Sequence, residues 1–125
     1  MYTYEVAQAL LNYSISRGSN TAEQCRKVTR SVLERIRSGT ASQDETILVA
    51  QAINRLVKQA KPRSNSAIER QAYTLSVIYL TPERLSQREV SQIIGVDYIT
   101  VHRDIKAGIE LLSIQLFGID AIDWK

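Results

Sequence analysis

Apolar residues recur every three or four positions along most of this chain, the period that places side chains on one face of an α-helix. One stripe runs Val6, Ala9, Leu10 and Tyr13, a second Cys25, Val28, Val32 and Ile36, and a third Val49, Ile53, Leu56 and Val57. A fourth runs Ile68, Ala72, Leu75 and Tyr79, and the longest runs Val101, Ile105, Ile109, Leu112 and Leu116. No comparable segment alternates between apolar and polar, so the pattern predicts an all-α fold without a sheet. The helix starts are marked too. Thr21 with Gln24, Ser42 with Glu45, Ser66 with Glu69 and Ser86 with Glu89 each set a hydroxyl three residues before a side chain that can reach back to it. Such a capping box satisfies two of the amide donors that a helix start leaves free. The pair at Ser86 opens a short further helix, which makes six in all. Gly18, Gly39, Gly95 and Gly118 follow helical stretches, Pro62 ends another, and Pro82 suits a first helical turn after Thr81.

The run Lys58-Gln59-Ala60-Lys61-Pro62-Arg63-Ser64-Asn65 is polar, basic and broken by proline. It divides the chain into a three-helix unit over residues 1–61, a linker at 62–65 and a second helical unit over 66–125. The same composition would also serve as a plain helix–helix connection inside one unit, and the pattern leaves both open.

The stretch from Ser86 to Lys106 is the most informative. Two helices that cross closely need a small residue where they touch, which Ser91 supplies, and a turn with positive φ, which Gly95 supplies four residues later. Val90, Ile94, Val96, Val101 and Ile105 form the shared apolar seam, and Asp97 caps the second helix. These are the requirements of a helix-turn-helix, whose second helix can enter the major groove of DNA. With Val101 and Ile105 inward, the outward face holds Tyr98, Ile99, Thr100, His102, Arg103 and Lys106, polar, aromatic and basic groups suited to base edges and phosphates. Gln87 and Arg88 on the preceding helix are counted with them as candidate DNA contacts, as are Lys58, Lys61 and Arg63 at the entry to the second unit. Asp104 reads as structural, paired with Arg84 or Arg88. For Arg103 the alternative is an intrahelical pair with Asp104 or Glu110, and for His102 a solvated position.

The segment Val96-Asp97-Tyr98-Ile99-Thr100-Val101-His102-Arg103-Asp104-Ile105-Lys106 resembles the recognition helix of bacterial helix-turn-helix regulators, in which a Thr-Val-x-Arg-Asp-Ile-Lys-like string recurs. Ser66 to Leu116 also resembles the promoter-reading domain of sigma factors. The layout as a whole, with the tail from Leu116-Phe117-Gly118 to Trp124, is similar to phage late-gene activators of the RinA and ArpU kind. The resemblance implies a transcriptional regulator of a bacterial or phage-encoded system, an activator or sigma-like factor, with RNA polymerase as a further partner. Winged relatives add a β-hairpin after the recognition helix. Here the stripe continues from Lys106 through Ile109, Leu112 and Leu116, which favours a wingless tri-helical form. Gly108 inside that helix costs about 1 kcal/mol relative to Ala, and a close helix crossing would account for it.

Composition changes this picture little. Among 125 residues, 44% are hydrophobic and 23% charged, as in ordinary globular domains. The net charge of +3 and a pI near 9.2 permit nucleic-acid binding without requiring it. The basic run Arg26, Lys27, Arg30, Arg35 and Arg37 is interleaved with Glu23 and Glu34 and reads as a solvated helix face, the alternative being a second DNA face. No apolar run reaches the roughly 20 residues of a membrane span. Met1 to Leu10 carries Glu5 and no basic residue, unlike a signal peptide, so the cytoplasm is the expected compartment. The single cysteine, Cys25, reads as a small buried hydrophobe. There is no paired-cysteine metal site, glycine-rich phosphate loop or nucleophile–base set, so neither enzyme nor cofactor is expected. One helix-turn-helix covers few base pairs, and the pattern leaves Tyr2, Tyr4 and Tyr13 open between core and a self-association surface. Residues 1–61 are therefore expected to bring copies together as a homodimer or larger oligomer on double-stranded DNA. The competing readings are a DNA-packaging assembly protein like a phage small terminase subunit, and a helical protein-interaction module.

Overall fold

The computed structural model describes residues 21–60 and 66–118, whose regular structure is helical throughout, with no strand among them. The helices are α1 (Thr21–Ser38), α2 (Gln43–Ala60), α3 (Ser66–Leu75, running on through a π-helical turn at Ser76–Leu80), α4 (Gln87–Ile94) and α5 (Tyr98–Phe117). The expected first helix with its Val6 to Tyr13 stripe, together with Gly18, Lys61, Pro62, Arg63 and the tail to Trp124, lies outside the described residues.

Two of the capping boxes are formed. The Ser42 backbone N–H donates to Glu45 Oε1 at 3.0 Å and the Glu45 N–H to Ser42 Oγ at 3.1 Å. The other oxygen of the same carboxylate takes Arg35 at 2.6 Å, so the start of α2 is also the joint with α1. At α4 the Ser86 N–H donates to Glu89 Oε1 at 3.0 Å and the Glu89 N–H to Ser86 Oγ at 3.1 Å. Pro82 corrects an expectation: it lies in a turn, not in a first helical turn. The end of α3 is wound wide, with the Thr81 N–H donating five residues back to Ser76 O at 3.0 Å, and Thr81 itself is extended, as residues before proline tend to be. The chain then folds back, with the Arg84 N–H on Thr81 O and the Leu85 N–H on Val77 O, so no helix can begin before Ser86.

One core joins the described residues on both sides of 61–65. Val32, Leu33, Val49 and Leu56 come from before that segment, and Leu75, Val90, Val101 and Leu112 from after it. Leu33, Val49, Leu75, Val90, Val101 and Leu112 are excluded from solvent to within 1%. Burying one such leucine is worth about 1.5–3 kcal/mol, so each half depends on the other for a large share of its stabilisation. Two separate cores are not found among the described residues. Cys25 is fully buried, as a small hydrophobe would be.

Helix α5 is the central element and packs on each of the other four. Its crossing with α3 is close at Gly108, where a Cβ would lie 3.0 Å from Leu75 Cδ1 and Cγ and 3.4 Å from Gln71 O. That approach explains a glycine in mid-helix. One turn earlier, Asp104 is 3% exposed and takes Arg70 through two bonds, Nε at 2.7 Å and Nη2 at 3.0 Å. The expected partners Arg84 and Arg88 are therefore corrected to Arg70. Asp104 shares its helix face with Val101, Ile105 and Gly108, and that face looks toward α3. Arg37 on α1 donates to the carbonyls of Ile78 at 3.0 Å and Leu85 at 3.2 Å, fixing the loop that delivers the chain into α4. Where α1 meets α5, Thr29 and Ser113 are both fully buried. Thr29 donates to Cys25 O at 2.8 Å, and the single Ser113 proton is shared between Thr29 Oγ1 at 2.9 Å and Ile109 O at 2.7 Å.

Candidate nucleic-acid interface

Three residues connect α4 to α5, and each has a definite task. Gly95 adopts φ 72°, ψ 29°, a left-handed conformation that costs other L-residues about 1–2 kcal/mol, and its N–H closes onto Ser91 O at 3.1 Å. The Ser91 hydroxyl donates to Val96 O at 2.5 Å, so this small residue ties α4 to the turn besides leaving room for it. Asp97 is extended and accepts the Thr100 N–H at 2.7 Å. Hydrogen bonds from Thr100, first from its side chain and then from its backbone, hold the Asp97 carboxyl below its ordinary range. The backbone and side-chain bonds of Ser86 do the same for Glu89 at the start of α4. Val90, Val101 and Ile105 are buried in the seam between the helices, and Ile94 and Val96 pack against it half-buried.

With that seam fixed, the outer side of the first three turns of α5 is open. Ile99 is 60% exposed and Tyr98 50%; His102, Arg103 and Lys106 are exposed, and Thr100 is half-buried above its bond to Asp97. None of His102, Arg103 and Lys106 has an ion-pair partner among the described residues, so the alternative pairing of Arg103 with Asp104 or Glu110 is not made. Arg88 is exposed beside this face. Gln87 is half-buried, with Oε1 sequestered and lacking a hydrogen-bond partner among the described residues. Gln87, Arg88 and Tyr98 share a cleft of about 480 Å³ with Glu34 and Arg37 of α1 and with Tyr79, whose hydroxyl burial pushes above its ordinary pKa.

Lys58 is not brought to this face. It stands in the last turn of α2, where its neighbour Gln59 accepts from Gln115 Nε2 at 3.0 Å and Arg55 donates to Gln115 Oε1 at 3.2 Å. Gln115 is nine residues beyond Lys106, about 14 Å along the helix axis. Lys61 and Arg63 lie outside the described residues.

Sequence reasoning misses one exposed apolar residue near this face and keeps a basic run near it only as an alternative. Ile93, at the end of α4, is 60% exposed beside the turn that leads to Tyr98 and Ile99; its signal is an apolar residue off the Val90–Ile94 stripe. Arg26, Lys27 and Arg30 of α1 line a cleft of about 240 Å³ together with Lys106. Among the described residues there is no group of three or more His, Cys, Asp and Glu able to hold a metal, and no helix long and apolar enough to cross a membrane. Neither a protein-family model, nor a curated protein, nor a solved structure matches this chain.

Proposed function

We propose that this protein is a sequence-specific double-stranded DNA-binding regulator of transcription, in which α4, the turn Gly95–Asp97 and α5 act as a helix-turn-helix and α5 reads the major groove. The observation that carries the reading is the division of α5. Val101, Asp104, Ile105 and Gly108 are buried against the rest of the fold, while Ile99, His102, Arg103 and Lys106 stand clear of it and Tyr98 is half exposed at the edge. A major groove about 12 Å wide admits a helix presented in this way. Arg103 and His102 supply donors for purine acceptors or phosphates, and Ile99 and Tyr98 supply apolar contact for a thymine methyl. The face covers few base pairs, so selective binding calls for a second copy of the chain or for contact with RNA polymerase in an activator-like or sigma-like complex, inside a bacterial or phage-infected cell.

Selection of bound duplexes from a random pool tests the reading. Enrichment of a defined site is expected, and Arg103→Ala should weaken binding to that site by about 1–3 kcal/mol with a smaller effect on random duplex. A pool that emerges unenriched would overturn it. A helical protein-interaction module is the second reading, favoured by the exposed apolar Ile93, Tyr98 and Ile99 at the tip. It predicts that Ile93→Ser and Ile99→Ser abolish partner capture while Arg103→Ala does not.

A further inference from the structure

We propose that α1 supplies a second wall of the DNA surface, in which Lys27 and Arg30, with Lys106 of α5, form a track for the phosphates of the strand bordering the groove that α5 enters. The proposal rests on the DNA-binding reading of α5. On α1, Glu23, Lys27, Arg30 and Glu34 recur at intervals of four, three and four, and all four are exposed. On α5, Tyr98, His102, Lys106 and Glu110 recur every four residues and are exposed as well. Each set is therefore one solvent-facing stripe of its helix. The two helices pack together, and their stripes meet along the cleft that Arg26, Lys27, Arg30 and Lys106 share with Glu23 and Glu110.

Scale and charge both fit a phosphate track. Lys106 follows Tyr98 by eight residues, about 12 Å along the helix, so it stands where a reading helix leaves the groove floor. Packed helix axes lie about 8–10 Å apart, somewhat more than the roughly 6 Å half-width of the groove, which sets the α1 stripe over a bounding backbone. The cleft holds four cations against two carboxylates. Arg30 and Lys106 have no ion-pair partner among the described residues. Lys27 meets Glu23 at 3.5 Å, but their side chains are 70% and 50% exposed. An exposed pair of that kind contributes little, and a phosphate can displace it. The glutamates in the stripes confine the positive potential to this one stretch. The basic run of α1, scattered when its spacing is considered alone, thus contributes its middle members to the same surface as α5.

The test is the salt dependence of binding by the full chain to a short, fluorescently labelled random-sequence duplex, which needs no knowledge of the preferred site. Removing one phosphate-neutralising side chain should flatten the log–log slope by about 0.9, so Lys27→Gln with Arg30→Gln should flatten it by about 1.8. Between about 50 and about 200 mM salt, the wild-type chain should then lose roughly 12-fold more affinity than the double variant. Lys58→Gln, at the far end of α5, should leave the slope unchanged. A double variant with the wild-type slope overturns the α1 track and leaves the reading of α5 standing. So does a Lys58→Gln slope that falls as far as either single α1 variant, since net charge alone would then explain the effect. A wild-type chain that binds no duplex at low salt overturns the reading of α5, and the track with it.

Discussion

The Arg70–Asp104 pair fixes α5 against α3, and its removal has a calculable cost. The Asp104 side chain is 3% exposed and that of Arg70 39%, with bonds of 2.7 and 3.0 Å between them. Arg70→Met keeps much of the aliphatic bulk and leaves the carboxylate in the core without its guanidinium. Breaking a fully buried pair from one side costs about 3–5 kcal/mol. Arg70 is open to solvent on one side, so water recovers part of the missing hydration and a loss of about 2–3 kcal/mol is expected. Against a total stability of about 5–15 kcal/mol for a domain, this is a large displacement of the unfolding midpoint. Adding Asp104→Leu removes the stranded charge as well as its desolvation penalty. The double variant should return to within about 1 kcal/mol of wild type, although it contains one more substitution. Urea unfolding of the full chain, followed by circular dichroism, gives all four corners of the cycle, provided the denaturant slopes agree. A loss below about 0.5 kcal/mol for Arg70→Met, or a double variant as unstable as the single, would refute the assignment of Asp104 as a buried anchor.

Gly108→Ala gains about 1 kcal/mol of helix propensity but presses a methyl into Leu75, which is fully buried, at a cost of about 1–3 kcal/mol; net destabilisation is expected, turning to a gain in a Leu75→Val background, both read from urea midpoints. Asp97 has its pKa lowered by the Thr100 hydrogen bonds, so its contribution is complete above the ordinary carboxylate range and is lost as pH falls through the depressed value. The stability difference between wild type and Asp97→Asn should therefore shrink on acidification, and a difference constant from neutral pH to about 2 would contradict the cap. A chain of residues 62–125 alone lacks Val32, Leu33, Val49 and Leu56 in its core and should show no cooperative urea transition, whereas a sharp one would mean that the C-terminal helices fold unaided.

What the sequence discloses about this fold is local. The Ser42–Glu45 and Ser86–Glu89 boxes, the left-handed Gly95 and the Asp97 cap are closed by partners within four residues, so residue type and spacing contain the whole interaction. The apolar period likewise identifies the buried face of each described helix, because a face is a property of one helix. It does not identify the helix lying opposite. Chain proximity puts Asp104 beside Arg84 or Arg88, yet its partner is 34 residues upstream. Arg37 reaches carbonyls 41 and 48 residues away. Pro82 departs from its expected place because the chain folds back after it, with the Leu85 N–H on Val77 O, a contact that residue type at Pro82 does not contain.

The candidate site divides along the same line. Tyr98, Ile99, His102, Arg103 and Lys106 are legible because one seam, Val101 with Ile105, determines which side of α5 faces out. Position in the chain recommends Lys58, and packing sets its neighbours Arg55 and Gln59 on Gln115 instead. The spacing of Lys27 and Arg30 looks scattered, and packing sets them next to Lys106. In both cases the deciding quantity is the partner of a helix face. The same division bears on how variants of α5 should behave. Its inward residues are held by a core shared with α1, α2 and α3, and its outward residues touch little of the protein. Substitutions at Val101, Asp104 or Gly108 should therefore move stability first and binding only as a consequence. Substitutions at Ile99, His102 or Arg103 should leave the unfolding midpoint within about 0.5 kcal/mol of wild type, so that any change in binding reports the interface itself.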